Sequence, residues 1–244
     1  MTEADPVITP AFDRDISPAV PSVRLRGVRA GYRKRQDVLR GADFEAYPGS
    51  IVLISGPPGA GKTALIDLLR LFLEPSAGSV EVLGADVSKL KGGARARLKR
   101  EIGYMPEMPA LAEHMNAFEN VSLPLRLAGA KASAYAPDVE DLLRFLGLNE
   151  QDERTASALT GSERRRVAMA RAVVGRPRLI LAEEPTAGLA PDLAGRMLRL
   201  LASMRRAGTA IIVTTQDESL TEPLGAVLWR MRDGRIAPAG DPSA

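Results

Sequence analysis

The chain has 244 residues, a length sufficient for one sizeable α/β domain with its own buried core. With 45% hydrophobic, 26% charged and 4% aromatic residues it has the composition of a globular protein, and the shortage of aromatic rings argues against a base-stacking nucleic-acid platform. Its net charge of +3 is too small to specify a lipid or nucleic-acid partner, and its lack of cysteine excludes disulfides, thiolate zinc sites and a cysteine nucleophile.

The strands of the core are predicted by short apolar or alternating runs. Residues 1–21 carry four prolines and no periodicity, and we expect them to form a mobile leader. After this leader "SVRLRGV" alternates like a half-exposed strand, whereas three apolar runs are typical of buried strands. These runs are "IVLIS" at 51–55, "LILAE" at 179–183 and "AIIVTT" at 210–215. Because helical patterns separate them, we predict an α/β fold with a mostly parallel sheet covered on both faces.

Strand signals stop between about residues 105 and 158. In this block "VEDLLRFLGL" has the leucine spacing of a helix. The predicted organisation is therefore one domain over residues 22–244, with a helical subdomain inserted at roughly 105–158. No apolar run reaches the length of about 20 residues that a transmembrane helix needs. If the protein works at a membrane, we expect another chain to hold it there.

The stretch "GPPGAGKT" at residues 56–63 matches the phosphate-loop pattern G-x-x-x-x-G-K-[ST]. A buried strand precedes it and the amphipathic "TALIDLLRLFL" follows it, which is the context that a true phosphate loop requires. Glycines let backbone N–H groups surround phosphate oxygens; Lys62 is expected to reach the β- and γ-phosphates and the Thr63 hydroxyl to bind Mg²⁺. The alternative is a tight turn with a solvent-facing Lys62, but the full pattern and its flanks favour a nucleotide.

Two acids lie at the end of the predicted strand 179–183. Glu183 and Glu184 in "LILAEEPT" lie at the carboxyl end of a buried strand, where the ligand crevices of open α/β sheets are found. A hydrolytic site needs such carboxylates to hold Mg²⁺ and to orient or deprotonate the attacking water. A solvated loop pair is the alternative, and the apolar residues just before the pair favour the functional interpretation.

The segment "LTGSERRRVAMARAVVGRPRLILAEEPTAGL" resembles the signature and Walker B region of ABC-transporter ATPases, and the resemblance covers almost the whole folded chain. In that family two ATP-binding domains enclose two ATP molecules, each held by the phosphate loop of one domain and the signature of the other. By local physics alone, Thr160 and Glu163 form a capping box that starts a helix. The resemblance implies that this helix start faces the γ-phosphate bound to the partner domain.

The resemblance also implies a full set of site residues, with ATP and Mg²⁺ as cofactors. Tyr32, 24 residues before Gly56, matches the aromatic that stacks on adenine, although it also suits a strand edge. Glu107 ends "IGYMPE" where the family contacts Mg²⁺ and its membrane partner, Gln216 in "TTQD" occupies the switch position, and Glu184 is the expected general base. The implied ATP contacts are Tyr32, Gly56, Pro57, Pro58, Gly59, Ala60, Gly61, Lys62, Thr63, Ala64, Thr160, Gly161, Ser162 and Glu163, and the implied metal ligands are Thr63, Glu107 and Glu183. The family further implies an antiparallel β portion near the N-terminus.

Four positions depart from the family pattern. Glu183 stands in place of aspartate, Ser162 in place of the second signature glycine, Ala190 in place of the acidic D-loop residue, and Gln216 in place of histidine. Glutamine donates a hydrogen bond to phosphate but cannot become a cation or pass a proton. Since losing one transition-state contact costs on the order of a hundredfold in rate, we predict an ATPase whose turnover is slow.

Within the family, "FENVSLPLRLAGA" and "DVEDLLRFLGL" are most similar to the FtsE group of cell-division ATPases. This similarity implies an FtsX-like integral membrane permease as partner, a second ATP-binding subunit that is expected to be another copy, and a place at the cytoplasmic face of the plasma membrane. The alternatives are the ATPase of a lipoprotein or macrolide exporter, and a degenerate nucleotide-gated regulator with little hydrolysis. No nucleic-acid partner is expected.

Overall fold

The computed structural model of the chain describes residues 20–33, 35–150 and 152–240. The predicted leader therefore lies outside the described residues, apart from Val20 and Pro21. The strands are β1 (Val23–Tyr32), β2 (Arg35–Ala46), β3 (Ile51–Ser55), β4 (Pro75–Val82), β5 (Ala85–Asp86), β6 (Ile102–Met105), β7 (Leu179–Glu183), β8 (Ala210–Thr215), β9 (Val227–Arg232) and β10 (Arg235–Pro238). The α-helices are α1 (Lys62–Leu69), α2 (Gly92–Arg100), α3 (Ala117–Leu127), α4 (Ala132–Phe145), α5 (Gly161–Val173), α6 (Pro191–Arg206) and α7 (Thr221–Leu224).

The larger sheet has six strands in the order β10-β9-β3-β8-β7-β6. Strands β9, β3, β8, β7 and β6 pair in parallel, and β10 pairs antiparallel with β9. The predicted α/β class with a mostly parallel sheet is confirmed, and so are the bounds of the three buried strands. Strand β9 gives little sequence signal because most of its residues are exposed or half-buried, so it lacks an apolar run.

The smaller sheet is antiparallel, in the order β2-β1-β4-β5. It contains the predicted "SVRLRGV" strand and confirms the expected antiparallel portion near the N-terminus. Its buried residues pack with α1 and with one face of the larger sheet in a shared apolar cluster. This packing fixes Tyr32, the last residue of β1, beside the phosphate loop.

Residues of β3 alternate between the two faces of the larger sheet. Ile51 and Leu53 pack in the apolar cluster that includes α3, α4, α5 and α6, whereas Val52 and Ile54 pack in the cluster that includes α1 and the antiparallel sheet. Burial on both faces explains the continuous apolar run in this strand. The parallel strands all end at one edge, so the residues that follow β3, β7 and β8 are brought together there.

The block between β6 and β7 contains α3 and α4, which contact each other and pack against α5. Asn116 caps α3 through a capping box with Glu119. The division of the chain into one domain with a helical subdomain stays a prediction. Across residues 20–33, 35–150 and 152–240, no helix combines the length and apolarity needed to cross a bilayer.

Candidate nucleotide site

The loop of residues 56–61 joins β3 to α1 and has a backbone course that only glycine allows at two points. A Cβ atom on Gly56 would lie 2.2 Å from the Met231 carbonyl oxygen, so the chain could not pass β9 with any other residue there. Gly61 adopts φ 111° directly before α1, a conformation that L-residues with side chains rarely adopt. No side chain caps the described start of α1, so its first-turn N–H groups are available to an anion.

The Lys62 ammonium group lies over this loop. It donates hydrogen bonds to the carbonyl oxygens of Gly56 and of Pro57, the latter at 3.1 Å. Burial lowers the pKa of Lys62, while the carboxylates of Glu184, Glu107 and Glu183 act in the opposite direction. The cation is thus held inside a cleft with three carboxylates, instead of facing solvent as the turn alternative requires.

This cleft has a volume of about 450 Å³. It is lined by predicted residues from β1 and from the ends of β3, β6, β7 and β8 or the segments that follow them: Tyr32, Pro58, Gly59, Gly61, Lys62, Thr63, Ala64, Glu107, Glu183, Glu184 and Gln216. Val38 and Thr214 also line it and were not predicted. The structure therefore gathers residues up to 184 positions apart in sequence (216 minus 32) into one polar cleft.

Glu183 lies at the bottom of the site and is 5% exposed. The Thr63 hydroxyl donates to its Oε2 at 3.0 Å, and the Tyr104 hydroxyl donates to its Oε1 at 2.7 Å. Burial raises the pKa of Glu183, and these two hydrogen bonds only partly offset that effect. A hydroxyl and a carboxylate in contact are an oxygen donor set that suits Mg²⁺, which is usually bound by one or two protein oxygens together with phosphates and water.

Tyr104 belongs to a network of polar side chains that sequence reasoning missed. The Arg70 guanidinium lies 4.6 Å from the centre of the Tyr104 ring and donates to Asp67 Oδ1 at 2.7 Å. The Tyr32 hydroxyl donates a hydrogen bond to Asp67 Oδ2 at 2.5 Å, so the polar network runs from the expected adenine position to Glu183. The one available signal was Asp67 itself, a carboxyl group on the apolar face of α1.

Tyr32 and Tyr104, the two tyrosines of this polar network, both have a raised pKa, and for the same reasons. Burial, followed by the hydrogen bond to a carboxylate, raises the pKa of both Tyr32 and Tyr104. Both hydroxyls therefore stay protonated as donors at neutral pH. The Tyr32 residue is 37% exposed, as is required of an aromatic that is to meet a ligand.

Glu184 follows β7 in a left-handed backbone conformation with φ 45°. Its N–H donates to the Thr214 carbonyl at 2.8 Å, which holds the turn against β8. Its carboxylate accepts from the Thr215 hydroxyl at 2.8 Å and from the Gln216 backbone N–H at 2.9 Å. A non-glycine residue with positive φ is strained, and such strain is common at functional sites.

The signature residues form a second feature, at the start of α5. Thr160 accepts from the Glu163 N–H, and Glu163 Oε2 accepts from the Thr160 N–H and hydroxyl, each at 2.8 Å. The predicted capping box is thereby confirmed. Arg154, which sequence reasoning missed, donates to Glu163 Oε1 at 2.7 Å. Burial acts to raise the pKa of Glu163, but its hydrogen bonds with Thr160 and Arg154 outweigh burial and lower that pKa.

Several residues that were predicted to contact the nucleotide do not line the phosphate-loop cleft of the same chain. Thr160, Gly161, Ser162 and Glu163 are absent from the residues that line the described cleft. Ala190 occupies the N-cap of α6 without a side-chain hydrogen bond, and Asp192 lies in the first turn of that helix. The nucleotide contacts predicted for these signature residues therefore stay predictions that depend on a second domain.

A phosphate loop on a parallel sheet, with paired carboxylates at the end of β7, which β8 separates from β3, defines a nucleotide-binding α/β domain of the P-loop class. The sequence profile of the ABC transporter family matches residues 39–187, and the chain belongs to this family. It is the ATP-binding subunit of an ABC transporter and has the ATPase activity of that class.

Among curated relatives, the chain is 36% identical to the lipoprotein-releasing system ATP-binding protein LolD of Novosphingobium aromaticivorans, over 88% of this chain and 97% of the relative. It is 37% identical to LolD of Anaeromyxobacter dehalogenans, over 91% of this chain and 95% of the relative. Among solved structures, the dimeric post-hydrolysis state of the ATP-binding cassette MJ0796 bound to ADP and Pi matches with a TM-score of 0.81 and 23% identity, over 88% of this chain and 98% of that one. At this identity the structural match shows a shared fold.

Proposed function

We propose that the chain is the ATP-hydrolysing subunit of an exporter of the lipoprotein-releasing type, attached to the inner membrane through a permease partner. The names of the relatives support this proposal, because they favour the exporter alternative over the FtsE-like cell-division interpretation. An FtsX-like partner consequently has less support than a permease of a lipoprotein-releasing system.

The observation that carries the ATPase proposal is the contact between Thr63 and Glu183. It joins the first turn of α1 to the end of β7, so the phosphate-loop hydroxyl and a buried carboxylate meet at 3.0 Å. These two residues fit Mg²⁺, and Glu107 lines the same cleft as the third proposed ligand. When bound there, Mg²⁺ would neutralise charge that develops on the phosphate oxygens.

Glu184 is the proposed general base. Each of its carboxylate oxygens accepts one hydrogen bond from the end of β8 and keeps a further lone pair, which can accept the proton of a water molecule. The two bonds orient the carboxylate before substrate arrives. Gln216 lines the cleft beside it, where its side-chain amide can donate to the γ-phosphate without taking part in proton transfer.

Binding of ATP is proposed to use the phosphate loop, with Lys62 releasing its two carbonyl partners to contact the β- and γ-phosphates. Tyr32 is proposed to stack on the adenine. The signature of a second copy, Thr160 to Glu163, is proposed to complete the site from the other side. Because four positions depart from the family pattern, we expect slow turnover, with binding affected less than hydrolysis.

Phosphate release by the chain in complex with its membrane partner, in lipid nanodiscs with saturating Mg-ATP, tests this proposal. Glu184→Gln should reduce the rate at least a hundredfold, on the scale of a lost catalytic group, while ATP stays bound. Glu222→Gln, which removes a carboxylate from an exposed position of α7, is the matched control and should retain the wild-type rate. Equal background rates for wild type and Glu184→Gln, with ATP bound, would identify a nucleotide-gated regulator instead.

The transported substrate is tested separately. Proteoliposomes that contain the complex and a lipid-anchored lipoprotein should release the lipoprotein only with ATP, and Glu184→Gln should prevent the release. ATP hydrolysis without release would contradict the exporter proposal.

A further inference from the structure

Arginine side chains of helix α5 bind the backbone of the loop formed by residues 106–111. Three arginines of this helix donate to three carbonyl oxygens of the loop: Arg165 to Glu107 at 3.0 Å, Arg164 to Pro109 at 3.4 Å, and Arg171 to Ala110 at 2.6 Å. Hydrogen bonds from a charged donor are stronger than those between neutral groups. These three bonds therefore tie the backbone of the Glu107 loop to the helix that begins at the signature.

Arg165 differs from the other two because it also reaches the turn after β7. Its second guanidinium nitrogen, Nη1, donates to the Glu184 carbonyl oxygen at 2.8 Å. The same carbonyl accepts the Ala187 N–H at 3.2 Å, which closes the turn. One planar group thus spans the backbones of the proposed base and of the loop that carries Glu107.

This contact acts on a strained residue. Glu184 has φ 45°. Its N–H and its carboxylate both bond to β8 or to the residue that follows it, so the Arg165 contact with its carbonyl oxygen holds the same backbone from another side. The fork of a guanidinium supplies two donors in fixed geometry, which the single ammonium of lysine does not.

We propose that Arg165 is a positioning residue that locks the Glu184 backbone to the Glu107 loop and to the signature helix, so that the general base keeps its place during turnover. This inference rests on the proposed function, since it assigns a supporting residue to the same site. Arg165 touches neither the phosphate loop nor Lys62 in the described hydrogen bonds, so its effect is expected on turnover and not on binding of ATP.

The kinetic test compares Arg165→Ala, Arg165→Lys and Arg178→Ala in the complex with the membrane partner. We expect Arg165→Ala to lower kcat about tenfold or more, as misplacement of a reacting group does, with KM within about twofold. Arg165→Lys should recover part of the loss. Arg178 pairs with Glu101 before β7, at the opposite end of the strand, so Arg178→Ala removes the same charge far from the site and should keep the wild-type kcat.

Amide hydrogen exchange on the full chain without nucleotide tests the contact independently of catalysis. Arg165→Ala should speed exchange in residues 184–189 and in 107–111 together, whereas Arg178→Ala should change neither segment. Unchanged exchange in either segment, or faster exchange with an unchanged kcat, would overturn the inference. If the wild type shows no turnover, the proposed function fails, and the exchange data still decide whether Arg165 fixes the Glu184 backbone.

Discussion

Helices α1 and α5 begin in opposite ways. The start of α1 has glycine as N-cap and no side-chain hydrogen bond, whereas the start of α5 is closed by a capping box between Thr160 and Glu163. An open helix start offers its N–H groups to phosphate, but a capped start has already used part of them and carries a carboxylate. From this comparison we expect α1 to bind nucleotide within one chain, and α5 to contribute, as proposed above, to a site whose other side is supplied by a second copy.

The largest expected effect is on ATP affinity, which should depend on the start of α1 and not on the start of α5. Lys62→Ala should weaken ATP binding to the isolated chain about a hundredfold, because hydrogen bonds to charged groups are among the stronger ones. Ser162→Asp adds a negative charge to the start of α5 and should leave that affinity within about twofold, while it suppresses hydrolysis in the complex by repelling phosphate on the second copy. Isothermal titration and phosphate release measure the two quantities.

The Ser162→Asp variant is expected to fold normally, since an acidic residue in the first turn of a helix is stabilising. A large loss of ATP affinity in the isolated Ser162→Asp chain would contradict the comparison, because the signature would then contact nucleotide within its own chain.

The difference between the two helix starts also shows what the sequence can predict. The phosphate loop, the strand that ends at Glu183 and the capping box were all predictable, because each is a local pattern in the sequence. Tyr104 and Arg165 were not predictable, since their roles arise from partners 79 and 19 positions away and depend on how β6 and α5 pack beside β7. Strand β9 was missed because most of its residues are exposed or half-buried, so its sequence contains neither an apolar run nor a clear alternation of apolar and polar residues.

A smaller effect, on the free energy of unfolding, is expected when Glu183 at the buried end of the nucleotide site is replaced. Its raised pKa means that the charged form is unfavourable in the folded chain, so wild-type stability falls as pH rises from the ordinary value of 4.5 through the folded pKa. Glu183→Gln avoids this loss and should raise the free energy of unfolding by roughly 0.5–2 kcal/mol at pH 8, with little gain below pH 4.5. Urea denaturation at several pH values checks the sign.

The same variant should lose Mg²⁺-dependent binding of ATP, so stability and function are expected to change in opposite directions. Glu184→Gln is the matched control, because it makes the same substitution at the next residue, which is half-buried instead of buried. Equal stability of wild-type and Glu183→Gln chains at pH 8 would contradict the burial argument.

The smallest effect is expected at the capped helix start. Arg154 is an exposed partner of Glu163, with 48% of its side chain accessible, and Thr160 still holds the carboxylate when Arg154 is replaced. Arg154→Gln should therefore lower the melting temperature of the isolated chain by only about 2 °C or less, and high salt should remove the difference by screening the pair. ATP affinity of the isolated chain should not change. A larger, salt-independent loss of stability would show that the capping box depends on Arg154, and the start of α5 would then be less self-sufficient than its contacts with Thr160 indicate.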